Sequence, residues 1–322
     1  MSLSASSHSA NSVPATAPSA AARSAARRGG PLLCLALAGV LWGAGGLAGT
    51  LLGKVSGLSP LGVATVRLLA GGTLLVAFRM AARHRLPRGR AAWARIVVAG
   101  LLGAGFQAAY FLSISLSSVS LATLITIGAT PVIVHVTELV TGRQRPERSS
   151  LITLAVALTG LGLLIGLPGG GHSRAALLAS AGFALLSAAG FAALTLIGAS
   201  PVPGLDDLAM TGYGSLLGGL ALLPLALIFG GTAAGGIVFR ATPESFGLVV
   251  GLGIGPTALA YVLYYRGLRS ASPTTAALMS LLEPLTAAIL GTAILGDRLG
   301  LAAIAGAVLL GASVLRTVWA SR

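Results

Sequence analysis

Ten apolar stretches, each long enough to cross a bilayer, divide this chain with little between them. A spanning helix needs about 20 mainly apolar residues. Runs of that length fall at 32–52, 60–80, 94–114, 119–140, 150–167, 175–197, 208–229, 244–267, 273–295 and 299–318. The connecting segments are too short for a soluble domain. Only 9% of residues are charged and 55% are hydrophobic, whereas a soluble domain carries about 25% charged residues. The fold class expected is therefore an all-α membrane protein. Ser59-Pro60, Thr242-Pro243 and Ser272-Pro273 each place a capping residue before a proline suited to the first helical turn.

Charge placement orders these helices. The net charge of +14 is spread as short arginine clusters between apolar runs, the pattern of cytoplasmic loops rather than of a nucleic-acid surface. With the N-terminus inside, the clusters at 23–28, 79–95, 143–148 and 266–269, with Arg316 and Arg322, all fall on the cytoplasmic side. Lys54, Arg174, Arg240 and Arg298 fall outside, and Arg67 lies within a span. Loop 198–207 is placed inside yet holds Asp206 and Asp207 without a basic residue, which is neutral because acids count little in this rule. The Ala/Gly/Arg-rich composition points to a bacterial plasma membrane, with both termini cytoplasmic. Residues 1–30 are rich in Ser, Ala and Pro and read as a disordered cytoplasmic tail. A lone cysteine, Cys34, excludes an intramolecular disulfide and a cysteine-cluster metal site, and no cofactor is implied.

The ten spans divide into two halves of five, 31–167 and 168–322. Ala155–Gly160 resembles Gly306–Gly311, Pro131 aligns with Pro284, and Arg67 and Gly72 fall against Tyr213 and Gly218. Because five is odd, the second half enters the membrane from the opposite side, giving a 5+5 inverted-topology repeat. Such repeats are usual in secondary transporters, with a midplane site where the halves meet and helices are interrupted. Pro131 and Pro284 are the matched interruptions and candidate hinges. Each deprives one carbonyl of its helical donor, Ile127 and Ser280 respectively, and Thr126, Thr130, Ser280 and Glu283 stand close by.

Glu283, before Pro284, is the leading site candidate. A charge in mid-span costs about 2.5–3.5 kcal/mol on insertion scales, so it either binds a cation or proton in a cavity or ties the broken helix to a neighbour. Trp42, Gln107, Tyr110, Thr130, Tyr261 and Ser280 supply mid-span hydrogen-bonding groups suited to a polar ligand. His135 and Glu138, three apart on one helix face, join Glu283 as candidates for proton coupling, although Glu138 lies close enough to the 143–148 arginines to snorkel outward. Arg67, about 10 Å inside its span, is read as a structural charge paired with an acid of the opposing half.

Leu41-Trp42-Gly43, Thr65-Val66-Arg67-Leu68-Leu69-Ala70, Pro131, Glu283-Pro284 and Leu295-Gly296-Asp297-Arg298, in this order along ten spans, resemble the EamA branch of the drug/metabolite transporter superfamily over about residues 31–320. The resemblance implies cytoplasmic termini and a central cavity lined by spans one, three, four, six, eight and nine. It also implies export of amino acids, related metabolites or toxic compounds. The family often has an acid after span four, where this chain reads Thr141-Gly142-Arg143-Gln144-Arg145. The expected function is a secondary transporter exporting small amphipathic metabolites by alternating access, as a monomer or weak homo-oligomer whose partners are the lipid bilayer and a small-molecule substrate. The alternative is a passive pore or helical scaffold, separable by whether flux saturates. A membrane enzyme is disfavoured by the absence of His-Glu-x-x-His, Gly-x-Ser-x-Gly and paired intramembrane aspartates.

Overall fold

The computed structural model describes residues 20–145, 147–166, 173–229, 239–296 and 300–320. Among them are ten helices long and apolar enough to cross a membrane, and no strand. Span one is Gly30–Ser56, the apolar part of a helix drawn from Ala20. Spans two to five are Pro60–Ala81, Arg90–Leu116, Val119–Val140 and Arg148–Ile165. Spans six to ten are Arg174–Gly198, Asp207–Phe229, Pro243–Leu268, Pro273–Ile294 and Leu301–Ala320. Residues 1–19 of the expected tail, and Asp297, Arg298 and Arg322, lie outside the described residues.

The proline-led starts form as anticipated. Ser59 accepts from the Gly62 amide at 3.1 Å and Ser272 from the Thr275 amide at 3.1 Å. Thr242 and Ser245 exchange side chain-to-backbone bonds in a capping box, satisfying amides that a helix start leaves without partners.

The inverted repeat is written into two helix crossings. On spans two and seven, a Cβ built on Gly72 would meet the Cβ of Leu216 at 2.9 Å, and one on Gly219 would meet the Leu69 amide at 2.9 Å. The two contacts exchange under one shift, since 219 − 72 and 216 − 69 are both 147. On spans five and ten, Gly160 faces Gly306 and Leu310, while Gly306 faces Gly160 and Leu164. Here the shift is 146 (306 − 160, and 310 − 164). In both pairs the contacts climb one helix as they descend the other, so equivalent helices run antiparallel across a pseudo-twofold. Further packing obeys the same exchange: span one lies on spans eight and nine as span six lies on three and four.

The helix interruptions are not symmetric. Span four stays helical through Pro131, so the expected matched break is absent there. The Thr126 hydroxyl donates to Ala184 O at 3.2 Å and the Thr130 hydroxyl to Thr126 O at 2.8 Å; neither serves the Ile127 carbonyl. Span nine does break, between Pro273–Met279 and Leu282–Leu290. There the Glu283 amide donates to the Ser280 carbonyl at 2.9 Å, so a tightened turn answers the group that Pro284 cannot. A distortion not foreseen lies in span eight, where Gly253–Leu259 widens into a π-helix around Pro256, a feature often found at functional sites.

Leucine at Gly160 is expected to disrupt the five–ten crossing and lower the melting temperature, at an overpacking cost of about 1–3 kcal/mol. Leucine at Gly162, whose Cβ would meet nothing within 4 Å, should have little effect. Thermal denaturation of the two purified variants checks this.

Candidate functional site

Polar groups from both halves face one another where spans two, three, eight and nine converge. Arg67 Nη2 donates to Gln107 Oε1 at 3.0 Å, and Gln107 is buried. Glu283, in the first turn after the span-nine break, sits within electrostatic range of Arg67, Tyr110 and Tyr261. Its carboxylate makes no hydrogen bond or ion pair among the described residues, and its oxygens retain exposed surface. A carboxylate left open this way, across from a cation committed only to a neutral amide, is equipped to bind. The expected contact between Arg67 and an acid is not made; Gln107 takes its place. The Tyr110 hydroxyl lies 2.6 Å from Thr123 Oγ1.

An aromatic wall adjoins these groups. Trp42 meets Phe191, Tyr261 and Tyr264 with ring centroids 5.8, 5.2 and 5.0 Å apart, arrangements worth about 0.5–1.5 kcal/mol each beyond area burial. The Tyr264 hydroxyl pairs with Thr195 at 2.8 Å, whereas the buried Trp42 Nε1 has no acceptor. Phe191 and Thr195 escaped the sequence reading because span six offers no periodic signal that separates a wall residue from packing.

The remaining candidates are occupied locally. Thr130 and Ser280 spend their hydroxyl protons on the carbonyls of Thr126 and Ala277, at 2.8 and 2.7 Å. Glu138 is buried rather than snorkelled. Its carboxylate accepts from the Thr274 amide at 2.9 Å and the Thr274 hydroxyl at 2.6 Å, capping the positive end of span nine. His135 Nδ1 lies 3.5 Å from the same hydroxyl, and its buried Nε2 lacks a partner.

A small cavity of ≈ 30 Å³, room for about one or two waters, lies between spans two, three, six, seven and eight. Gln107 and Tyr261 line it; Trp42, Tyr110, Thr130, Ser280 and Glu283 do not. Spans one, four and nine, expected to line a central cavity, do not border this small one. No group of three or more His, Cys, Asp or Glu residues able to hold a metal occurs among the described residues.

The arginine-rich segments are cross-linked by ion pairs and charge-assisted hydrogen bonds. Buried Arg79 donates to Asp206 at 2.5 Å and to Arg85 O at 2.9 Å. Arg95 bonds the carbonyls of Ile197 and Ser200, and Arg269 pairs with Asp207 at 2.6 Å. The two aspartates of loop 198–207 thus find their counter-charges on neighbouring arginine segments.

The pattern that defines the EamA-like transporter family matches residues 30–166 and again 178–319, once on each half. The chain belongs to this family. The family is part of the drug/metabolite transporter superfamily, and the chain is a multi-pass membrane protein. It is 27% identical over 269 residues, 83% of its length and 86% of the relative's, to the "Uncharacterized transporter YwfM" of Bacillus subtilis (strain 168). An "Uncharacterized transporter" of Archaeoglobus fulgidus is 33% identical over 106 residues, about a third of either chain. A solved crystal structure superposes with a TM-score of 0.74 over 89% of this chain and 97% of its own, at 18% identity, a likeness of fold alone.

Partial burial raises the pKa of Asp206, but the Arg79 hydrogen bond, the Ala209 amide and the Arg79 charge outweigh it and hold the carboxyl below its ordinary value. A depressed folded pKa gives stability that is complete above the unfolded value, about 4, and lost as pH falls through the folded one. Melting temperature is therefore expected to drop below about pH 4, and Asp206→Asn should flatten that part of the profile. At neutral pH the variant should lose about 1–3 kcal/mol, less than a fully buried pair because Asp206 is half exposed.

Proposed function

We propose that this transporter is a secondary carrier that exports small amphipathic metabolites, amino acids or related compounds, by alternating access. It is placed in a bacterial plasma membrane with both termini cytoplasmic. The observation that carries the reading is the open carboxylate of Glu283, opposite the Arg67–Gln107 pair at the junction of the inverted halves. One cation and one acid, each on a different half, match the two charges of a zwitterion. Polyanions would call for clustered Arg or Lys at this depth, and among the described residues Arg67 is the basic group placed near Glu283. The Trp42–Tyr261–Phe191 wall supplies apolar surface for the rest of the ligand.

The sidedness draws support from the pairing of Asp206 and Asp207 with Arg79 and Arg269, which groups loop 198–207 with the arginine segments assigned to the cytoplasm. Alternating access draws support from the inverted architecture, in which one half rocks on the other around a fixed midplane site. Proton exchange, in this reading, falls to Glu283, because the Glu138 carboxylate is already engaged in capping span nine.

Counterflow of radiolabelled neutral amino acids in vesicles reconstituted with the purified protein tests the proposal. Saturable, competable uptake is expected for a carrier, and linear flux would indicate a pore. Glu283→Gln should cut uptake about 10–100-fold, the equivalent of a charge-assisted hydrogen bond, with folded yield unchanged. Full activity in that variant would remove the acid from the mechanism.

A further inference from the structure

The turn between spans two and three carries more positive charge than the fold uses. Arg79 and Arg95, on either side of it, are committed to Asp206 and to the Ile197 and Ser200 carbonyls. Arg83, Arg85, Arg88 and Arg90 lie between them and are exposed. Their guanidinium groups make no hydrogen bond or ion pair among the described residues. No Asp or Glu precedes Glu138 in the sequence, so no local acid supplies the counter-charge.

The backbone bends to present one of these arginines. Arg83, with φ of 53°, is the one non-glycine residue among those described that adopts a left-handed conformation. It closes the last turn of span two, where its amide and that of His84 donate to the carbonyls of Met80 and Arg79 at 3.0 and 2.9 Å. Glycine takes such a helix-ending position freely and other residues at a cost. An arginine there keeps a charge that the turn itself does not require.

Span three then starts at Gly89 with no side-chain cap, whereas hydroxyls cap spans two, four, six, eight and nine. Open amides at a helix start attract anions, and Arg88 and Arg90 flank this one. Phe78, Met80, Leu86 and Trp93 are exposed on the same segment. Both adjoining spans end here, so these apolar side chains stand at the level where headgroups give way to acyl chains.

We propose that residues 83–90 and the start of span three bind the phosphate headgroup of an anionic phospholipid, whose acyl chains lie against Phe78, Met80 and Trp93. The exposed apolar residues beside the arginines favour a lipid over a soluble anion. Sidedness asks only for positive charge in this loop; the left-handed Arg83 and the uncapped start go beyond that requirement. The site does not depend on the export reading. Buried Arg79 joins the two halves through Asp206, while the exposed arginines stay accessible.

Thermal-shift titration of the purified full chain in a neutral detergent tests this with phosphatidylglycerol, phosphatidylcholine and glycerol phosphate. Phosphatidylglycerol is expected to stabilise the protein at lower concentration than phosphatidylcholine, with an advantage that shrinks between about 0.05 and 0.5 M salt. Glycerol phosphate should do little at matched concentration. An arginine near an anionic lipid surface is worth about fivefold in affinity. Arg83→Gly should therefore move the phosphatidylglycerol midpoint about fivefold, and Arg88→Gln combined with Arg90→Gln about 25-fold. Arg83→Gly should also raise the lipid-free melting temperature, because glycine relieves the left-handed turn; this separates loss of lipid from loss of fold. Arg174→Gln, at the start of span six and three crossings away, should leave the midpoint unchanged.

Equal stabilisation by the two lipids, or a phosphatidylglycerol advantage that neither arginine variant moves, overturns the site. Stabilisation by glycerol phosphate at the same concentration as phosphatidylglycerol overturns the lipid as its occupant. A lower lipid-free melting temperature in Arg83→Gly returns that arginine to the fold and overturns its place in the site.

Discussion

Close backbone approach at glycine is the constraint on which the rest of this structure depends. In hydrocarbon the hydrophobic effect does not drive helices together, so packing and interhelical hydrogen bonds must. Gly72 and Gly219 on one crossing, and Gly160 and Gly306 on the other, let antiparallel equivalents touch along the pseudo-twofold. Those two crossings hold the halves in register. They also set the depth at which Arg67 of one half confronts Glu283 of the other. Even the empty volume beside spans three and seven follows from the same economy of side chains.

Within that frame, hydrogen-bond satisfaction separates structural polar groups from available ones. Lipid offers no partners, so each buried donor or acceptor is answered by protein, water or ligand. Ser113, Ser117 and Ser180 answer one another between spans three and six, Thr195 answers Tyr264, and Glu138 answers the start of span nine. Among the described residues the buried groups left over are Trp42 Nε1, His135 Nε2 and the hydroxyls of Thr211 and Thr257, beside the unpaired Glu283 carboxylate and the phenols of Tyr261 and Tyr265. Thr257 lies on the π-helical turn of span eight, against Gly71.

The span pattern, the caps at Ser59, Thr242 and Ser272, and the intramembrane carboxyl of Glu283 are legible in the sequence because each is local. Hydropathy, a capping residue before proline and a charge in an apolar run all act within a few residues. The inversion is legible for a different reason, the parity of five. What escapes is whatever depends on the partner helix. Glu138 and Glu283 look alike as intramembrane acids, yet only the placement of Thr274 makes one a cap and leaves the other free. Thr211 is an ordinary threonine near a helix start until packing leaves its buried hydroxyl without a partner among the described residues. Pro131 and Pro284 are matched in sequence, but only the second sits where Ser280 can fold its own hydroxyl onto Ala277 O and let the chain tighten.

The two membrane faces are closed by different chemistry, and that difference bears on how the halves separate. On the arginine-rich face, contacts between halves are ionic or charge-assisted: Arg79 with Asp206, Arg95 with the Ile197 and Ser200 carbonyls, Glu138 with Thr274. On the opposite face those among the described residues are neutral, the serine cluster of spans three and six and the Arg240 amide on Ser56 O. Charge-assisted bonds are roughly twice as strong as neutral ones, but water and salt at an opened surface replace and screen them. In the proposed alternating access, parting the arginine-rich face would exchange strong contacts for strong hydration, and parting the other would give up weaker contacts for weaker hydration.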